Sequence, residues 1–112
     1  RVQYHPGVAK GWGKVTMSAG TPTLAANHNI AGIGDTGTGL VTVTIGTDFS
    51  GTGYAIGITM RAFGAGSAGA VTGRVKYDSA PAAGSFVIQI CAEDGNETDD
   101  WTQMYFDLFG DQ

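Results

Sequence analysis

Basic residues, cysteine, proline and long apolar runs are all scarce in this chain. Of 112 residues only 6 are Lys or Arg, and the net charge is −4. A chain of that sign repels phosphates, which argues against wrapping nucleic acid. Cys91 is the single cysteine, so neither an intrachain disulfide nor a cysteine-based zinc site can form. It stands in the apolar run Phe86-Val87-Ile88-Gln89-Ile90-Cys91, where a free thiol acts as a small hydrophobe rather than an activated nucleophile. No run of about 18 apolar residues occurs, so no membrane-spanning helix is expected. A 3.6-residue apolar period is missing too, and with it any expectation of helices.

What the chain does have is glycine, 19 residues of it, with Ala, Thr and Ser filling much of the remainder. Short strands joined by Gly-containing turns fit that composition. The clearest stretch runs from Ile33 to Gly46. A polar turn, Asp35-Thr36-Gly37-Thr38-Gly39, feeds a run in which Val41, Val43 and Ile45 share one face and Thr42 and Thr44 the other. Two-residue alternation of β-branched residues specifies a half-buried strand. The glycines supply positive φ and Asp35 can bond back to the turn, so the stretch reads as a hairpin.

Arg1 to Gly7 reads as an arm arriving from upstream, separated from the first strand by the break at Pro6-Gly7. Residues 8–112 form one domain. A first strand covers Val8 to Met17, with Lys10, Trp12 and Lys14 on one face. The glycines on its other face, Gly11 and Gly13, leave room for a neighbouring backbone or ring. A second strand spans Leu24 to Ile33 and pairs with Leu40–Gly46. Further strands lie at Tyr54–Phe63, Val71–Tyr77, Phe86–Ala92 and Trp101–Phe109, with a small-residue linker over Gly64–Ala70. Seven to eight such strands make an all-β, antiparallel sandwich of jelly-roll-like type.

Four passages resemble the C-terminal receptor-binding domains of bacteriophage tail fibres and tailspikes. They are His5-Pro6-Gly7-Val8-Ala9-Lys10-Gly11-Trp12, the hairpin from Asn29 to Phe49, the strand opening Tyr54-Ala55-Ile56-Gly57, and the ending Tyr105-Phe106-Asp107-Leu108-Phe109-Gly110. The acidic segment Glu93–Asp100 and the linker Gly64–Ala70 have no counterpart in that pattern. The resemblance implies a homotrimer at a fibre tip, on the virion and outside the cell. It implies binding to a host surface glycan or outer-surface protein, with upstream fibre domains as further partners. A structural decoration or trimerisation cap without ligand is the alternative.

On that resemblance the candidate ligand-binding residues are Trp101, Tyr105, Asp99, Asp100, Gln103, Phe49 and Tyr54. Aromatic rings pack against sugar C–H groups while polar neighbours bond the hydroxyls. Trp101 leads because it opens a strand beside Asp99, Asp100 and Gln103; Trp12 and Tyr77 are further aromatics of the same kind. The segment Glu93–Asp100 holds half of the chain's acidic residues. Oxygen atoms at Asp94, Asn96, Thr98 and Asp100 alternate there as calcium ligands would, with Asp94, Asn96 and Asp100 the candidate ligands. An EF-hand, however, needs Gly and Glu where this chain has Asp99 and Tyr105, and a solvated loop explains the charge. Asn96-Glu97-Thr98 matches a glycosylation sequon, and His28 is read as a strand-surface residue.

No enzyme is expected. A single Asp35-Thr36-Gly37 mimics the aspartic-protease motif, but the hairpin accounts for it. The acidic pairs are too exposed for glycoside cleavage, and no cofactor is called for.

Overall fold

The two-residue alternation becomes eight strands in the computed structural model, which describes residues 8–62, 71–99 and 101–112. They are β1 (Ala9–Ser18), β2 (Thr21–His28), β3 (Ile30–Gly37), β4 (Leu40–Ile45), β5 (Ala55–Ala62), β6 (Val71–Val75), β7 (Ser85–Ala92) and β8 (Trp101–Phe109). Two four-stranded sheets, ordered β2-β1-β8-β5 and β3-β4-β7-β6, make the sandwich. All pairings within them are antiparallel. The expected arm and the Gly64–Ala70 linker lie outside the described residues.

The sandwich stands, but its winding is not a jelly roll's. A jelly roll nests first strand with last, second with seventh and third with sixth; here only β1–β8 is present, while β2 pairs with β1 and β3 with β4. β4 joins β7 in one sheet and β5 joins β8 in the other. These two pairs interlock, because the chain changes sheets between β4 and β5 and again between β7 and β8.

Inward side chains from both sheets fill the space between them. Val15, Met104, Phe106 and Leu108 come from one sheet; Val41, Val43, Phe86, Ile88 and Ile90 come from the other. Phe86 and Phe106 meet edge to face across the gap, with centroids 5.8 Å apart and planes at 84°. Each such side chain contributes on the order of 1.5–3 kcal/mol by leaving water.

The β3–β4 hairpin forms as its sequence specifies. The Gly37 N–H donates to Asp35 Oδ1 at 3.4 Å, and Gly39 takes a φ of 69°. The strand expected over Leu24–Ile33 is instead two strands in different sheets, broken at Asn29. Asn29 adopts a φ of 57°, a left-handed conformation that Asn tolerates better than most residues. Its side chain fixes the corner: Nδ2 donates to the Lys10 carbonyl at 3.0 Å, and Oδ1 accepts the Thr47 N–H at 2.6 Å. Lys10 also leaves the face it was expected to share with Trp12. A register shift between Ala9 and Gly11 buries it, and its Nζ donates to the Gly110 carbonyl at 3.0 Å.

Candidate functional site

The outer face of the β2-β1-β8-β5 sheet gathers the exposed aromatics of the two most central strands. Trp12 on β1 is 43% exposed and Tyr105 on β8 is 36% exposed. Cross-strand pairing sets their neighbours in rows. One row reads His28, Trp12, Asp107, Gly57, and the next reads Ala26, Lys14, Tyr105, Thr59. A third places Thr16, Gln103 and Arg61 side by side. Trp12 and Tyr105 are therefore diagonal neighbours on adjacent strands, a relation that puts Cα atoms about 7–8 Å apart.

The inner face explains why Trp12 points out. Gly11 and Gly13 flank it and face the core, where β8 presents Leu108 and Phe106. A Cβ on Gly11 would lie 3.2 Å from Leu108 Cδ1, and one on Gly13 would enter the Phe106 ring. The glycines give these large β8 side chains their space, as their spacing around Trp12 suggests. That packing holds β1 flat against β8 and leaves the indole on the solvent side.

Between the rings lies an open groove of about 490 Å³, lined by Trp12, Lys14, Ala26, Gly57, Thr59, Tyr105 and Asp107 together with parts of Gly13, Ile58 and Phe106. Small residues at 26 and 57 give it depth. Tyr105 donates its hydroxyl to Gln103 Oε1 at 2.8 Å, and Arg61 Nη1 donates to the same oxygen at 3.1 Å. Lys14 and Asp107 make no hydrogen bond or ion pair with any described residue. The groove thus offers two ring faces, one ammonium and one carboxylate. That set can hold a polar ligand.

The residues expected from sequence separate into four places, one of them the acidic segment that carries Asp99. Tyr105 and Gln103 are on this face. Trp101 begins β8 as expected, but its ring is 3% exposed and belongs to the core, so it offers no stacking surface. Its Nε1 is buried without a partner among the described residues. Phe49, 4% exposed, and Tyr54 stack on each other at 4.2 Å and 5° at another edge of the core. The Tyr54 hydroxyl donates to the Ala82 carbonyl at 2.8 Å. Burial excludes Phe49 as a ligand platform and engages Tyr54 in closing the sandwich.

The acidic segment is a turn with its own internal bonds. Asp94 Oδ1 accepts the Asn96 N–H at 2.9 Å and Oδ2 accepts Asn96 Nδ2 at 3.2 Å. Glu97 Oε2 accepts Gln89 Nε2 at 3.3 Å, and Asp99 Oδ1 accepts the Gly39 N–H at 2.8 Å. Asp94 and Asn96 thus bond to each other, Asp99 serves the hairpin, and Asp100 lies outside the described residues. Among the described residues no three His, Cys, Asp or Glu side chains cluster as a metal site would require. Cys91 is 2% exposed, with Arg74 Nη2 at 3.4 Å from its sulfur.

Alternation groups Asp107 with Tyr105 and Gln103, but sequence reasoning missed Lys14, Gly57, Thr59 and Arg61 as their companions. Alternation placed each on a face of its own strand. The signals that unite them are the pairings of β8 with β1 and with β5, which lie in no local stretch. Compared with known proteins, the chain matches no family model, no curated protein and no solved structure.

Proposed function

We propose that this chain is a non-enzymatic receptor-binding module of a bacteriophage fibre or tailspike tip. It assembles as a homotrimer and attaches the virion to a glycan on the host surface. The observation that carries the reading is the exposure of Trp12 and Tyr105 as diagonal neighbours on one sheet face, beside Lys14 and Asp107, which have no partner among the described residues. Aromatic faces in a shallow, polar-rimmed groove suit sugars. The Asp35–Gly39 hairpin and the Tyr105–Gly110 ending support the fibre-tip part by their likeness to such domains. Three weak sites on one trimer gain strength by avidity.

Labelled chain applied to a panel of bacterial strains tests the reading. Binding to a subset of strains, lost in both Trp12→Ala and Tyr105→Ala, is the expected result. Binding that survives both changes contradicts it. The molar mass in solution, expected near three times 11.5 kDa, tests the trimer separately.

A cap or decoration without ligand is the second reading. It draws on the outer face of β3 and β4, where Gly32, Gly34, Thr42 and Thr44 line a shallow groove of about 430 Å³. A surface of small residues admits close approach by another subunit. That reading predicts a stable oligomer that binds no cell.

A further inference from the structure

Resting on the binding-face reading, we infer that the Trp12–Tyr105 groove takes a neutral saccharide, with Asp107 as its hydroxyl acceptor and Gly57 as the residue that positions Asp107. The argument begins with charge. Lys14 and Asp107 both line the groove, stand diagonally across β1 and β8, and have no partner among the described residues. An anionic ligand filling this space meets the Asp107 carboxylate; a cationic one meets the Lys14 ammonium. A neutral polyol satisfies both, because each hydroxyl is donor and acceptor at once. Hydrogen bonds to charged groups are the stronger kind, and the rings of Trp12 and Tyr105 supply the apolar contact that C–H-bearing sugar faces need.

A peptide strand is a poorer occupant. The floor of the groove belongs to strands β1, β8 and β5, whose backbones are paired with one another, so an added strand finds no free ladder there. The groove volume of about 490 Å³ falls within the range of small-ligand sites.

Gly57 gives the inference its sharpest handle. It stands opposite Asp107, and a Cβ built on it collides with Asp107 Oδ1. The carboxylate therefore lies over the bare Cα of Gly57. An alanine there displaces the end of one flexible side chain and leaves the strand backbone as it is. Gly57 acts through Asp107, so it is a positioning residue.

The two indole N–H signals of the 15N-labelled full chain report on the site. Trp12 faces the groove, and Trp101 is buried in the core as an internal control. Titrate with lactose, maltose, cellobiose and chitobiose, then with 3′-sialyllactose and phosphocholine. The inference expects a neutral disaccharide to move the Trp12 signal and leave that of Trp101 in place. It further expects Gly57→Ala and Asp107→Ala to weaken that binding tenfold or more while the remaining spectrum stays folded. Gly32→Ala, on the other sheet, should bind as the parent does.

Response to 3′-sialyllactose or phosphocholine alone overturns the neutral-saccharide assignment and keeps the face. Unchanged affinity in both Gly57→Ala and Asp107→Ala overturns the role of Asp107. Should no probe move the Trp12 signal while cell binding still depends on Trp12, this inference falls and the binding-face reading stands. Cell binding indifferent to Trp12 removes the reading itself.

Discussion

The backbone N–H of Gly39 donates to the carboxylate of Asp99 at 2.8 Å, joining two turns 60 residues apart in sequence. Gly39 also gives its carbonyl to the Ile90 N–H at 2.7 Å, so the hairpin tip is held from both sides. With a φ of 69°, and with the Ile90 oxygen and Thr98 nitrogen 2.6 and 2.8 Å from where a Cβ would sit, position 39 accepts only glycine without strain. Asp99→Ala should cost about 1–3 kcal/mol, the range for a bond to a charged acceptor whose donor is left behind. Gly39→Ala should cost at least as much, by strain and overpacking together. Urea midpoints of the two variants check this. Midpoints equal to the parent's mean that the link carries no stability.

Trp101 separates ring volume from hydrogen bonding. Trp101→Ala empties a core position and should cost about 3–5 kcal/mol. Trp101→Phe gives up ring volume but no hydrogen bond, since the indole N–H has no partner among the described residues. Its cost should therefore be clearly smaller, about 1–2 kcal/mol. Equal losses in the two variants would show that the N–H is bonded in solution.

The glycines divide by what stands opposite them. Gly13→Ala forces a methyl group into the Phe106 ring and should cost about 1–3 kcal/mol. Nothing lies within 4 Å of a Cβ on Gly32 or Gly34. Alanine at either should be neutral or stabilise by up to about 1 kcal/mol, through the entropy glycine loses on folding. Thermal denaturation of the three variants decides whether this ordering holds.

Much of the fold was legible because local chemistry decides it. Val41-Thr42-Val43-Thr44-Ile45 can bury only one face, and the Asp35–Gly39 turn sets its partner. The run Phe86–Cys91 is too apolar for anything but an inner strand. Asn29 was not legible: a polar residue between His28 and Ile30 carries no periodic signal, and its left-handed corner depends on bonds to Lys10 and Thr47. The site divided in the same way. Alternation put Tyr105 and Gln103 on one face of β8, but Trp101 was misplaced by its neighbours. The acidic residues beside it suggest exposure, and strict alternation puts it on the face of Gln103 and Tyr105; it turns inward because the alternation breaks at the register shift where Arg61 pairs with Gln103 and Ala62 with Trp101. The join of Trp12 to Tyr105 required knowing that β1 lies against β8.

Alkaline pH should expose the role of Tyr54. Burial raises its phenol above the ordinary value of 10.0, and its hydroxyl donates to the Ala82 carbonyl. Above pH 10 the unfolded chain loses this proton before the folded chain does, so the folded state holds more protons and its stability falls as pH rises. Lys76, raised chiefly by its hydrogen bond to Asp78, changes stability in the same direction. The comparison of parent with Tyr54→Phe isolates the phenol. The variant should be less stable at pH 7, by about 0.5–1.5 kcal/mol for the lost bond, and its stability should decline less between pH 9 and 11. Parallel declines would assign the alkaline loss to other groups.

An array of bacterial and synthetic glycans, probed with the parent chain and three single variants, tests the binding face most directly. Tyr77 is the most exposed aromatic among the described residues, at 84%, and it stands on a loop away from the groove. If ring exposure alone drove adhesion, Tyr77→Ala would be the most damaging change. The account predicts that Trp12→Ala and Tyr105→Ala each lower bound signal tenfold or more, about 1.4 kcal/mol of affinity per site, while Tyr77→Ala binds as the parent does. Loss of binding in Tyr77→Ala, with Trp12→Ala and Tyr105→Ala unaffected, would contradict it.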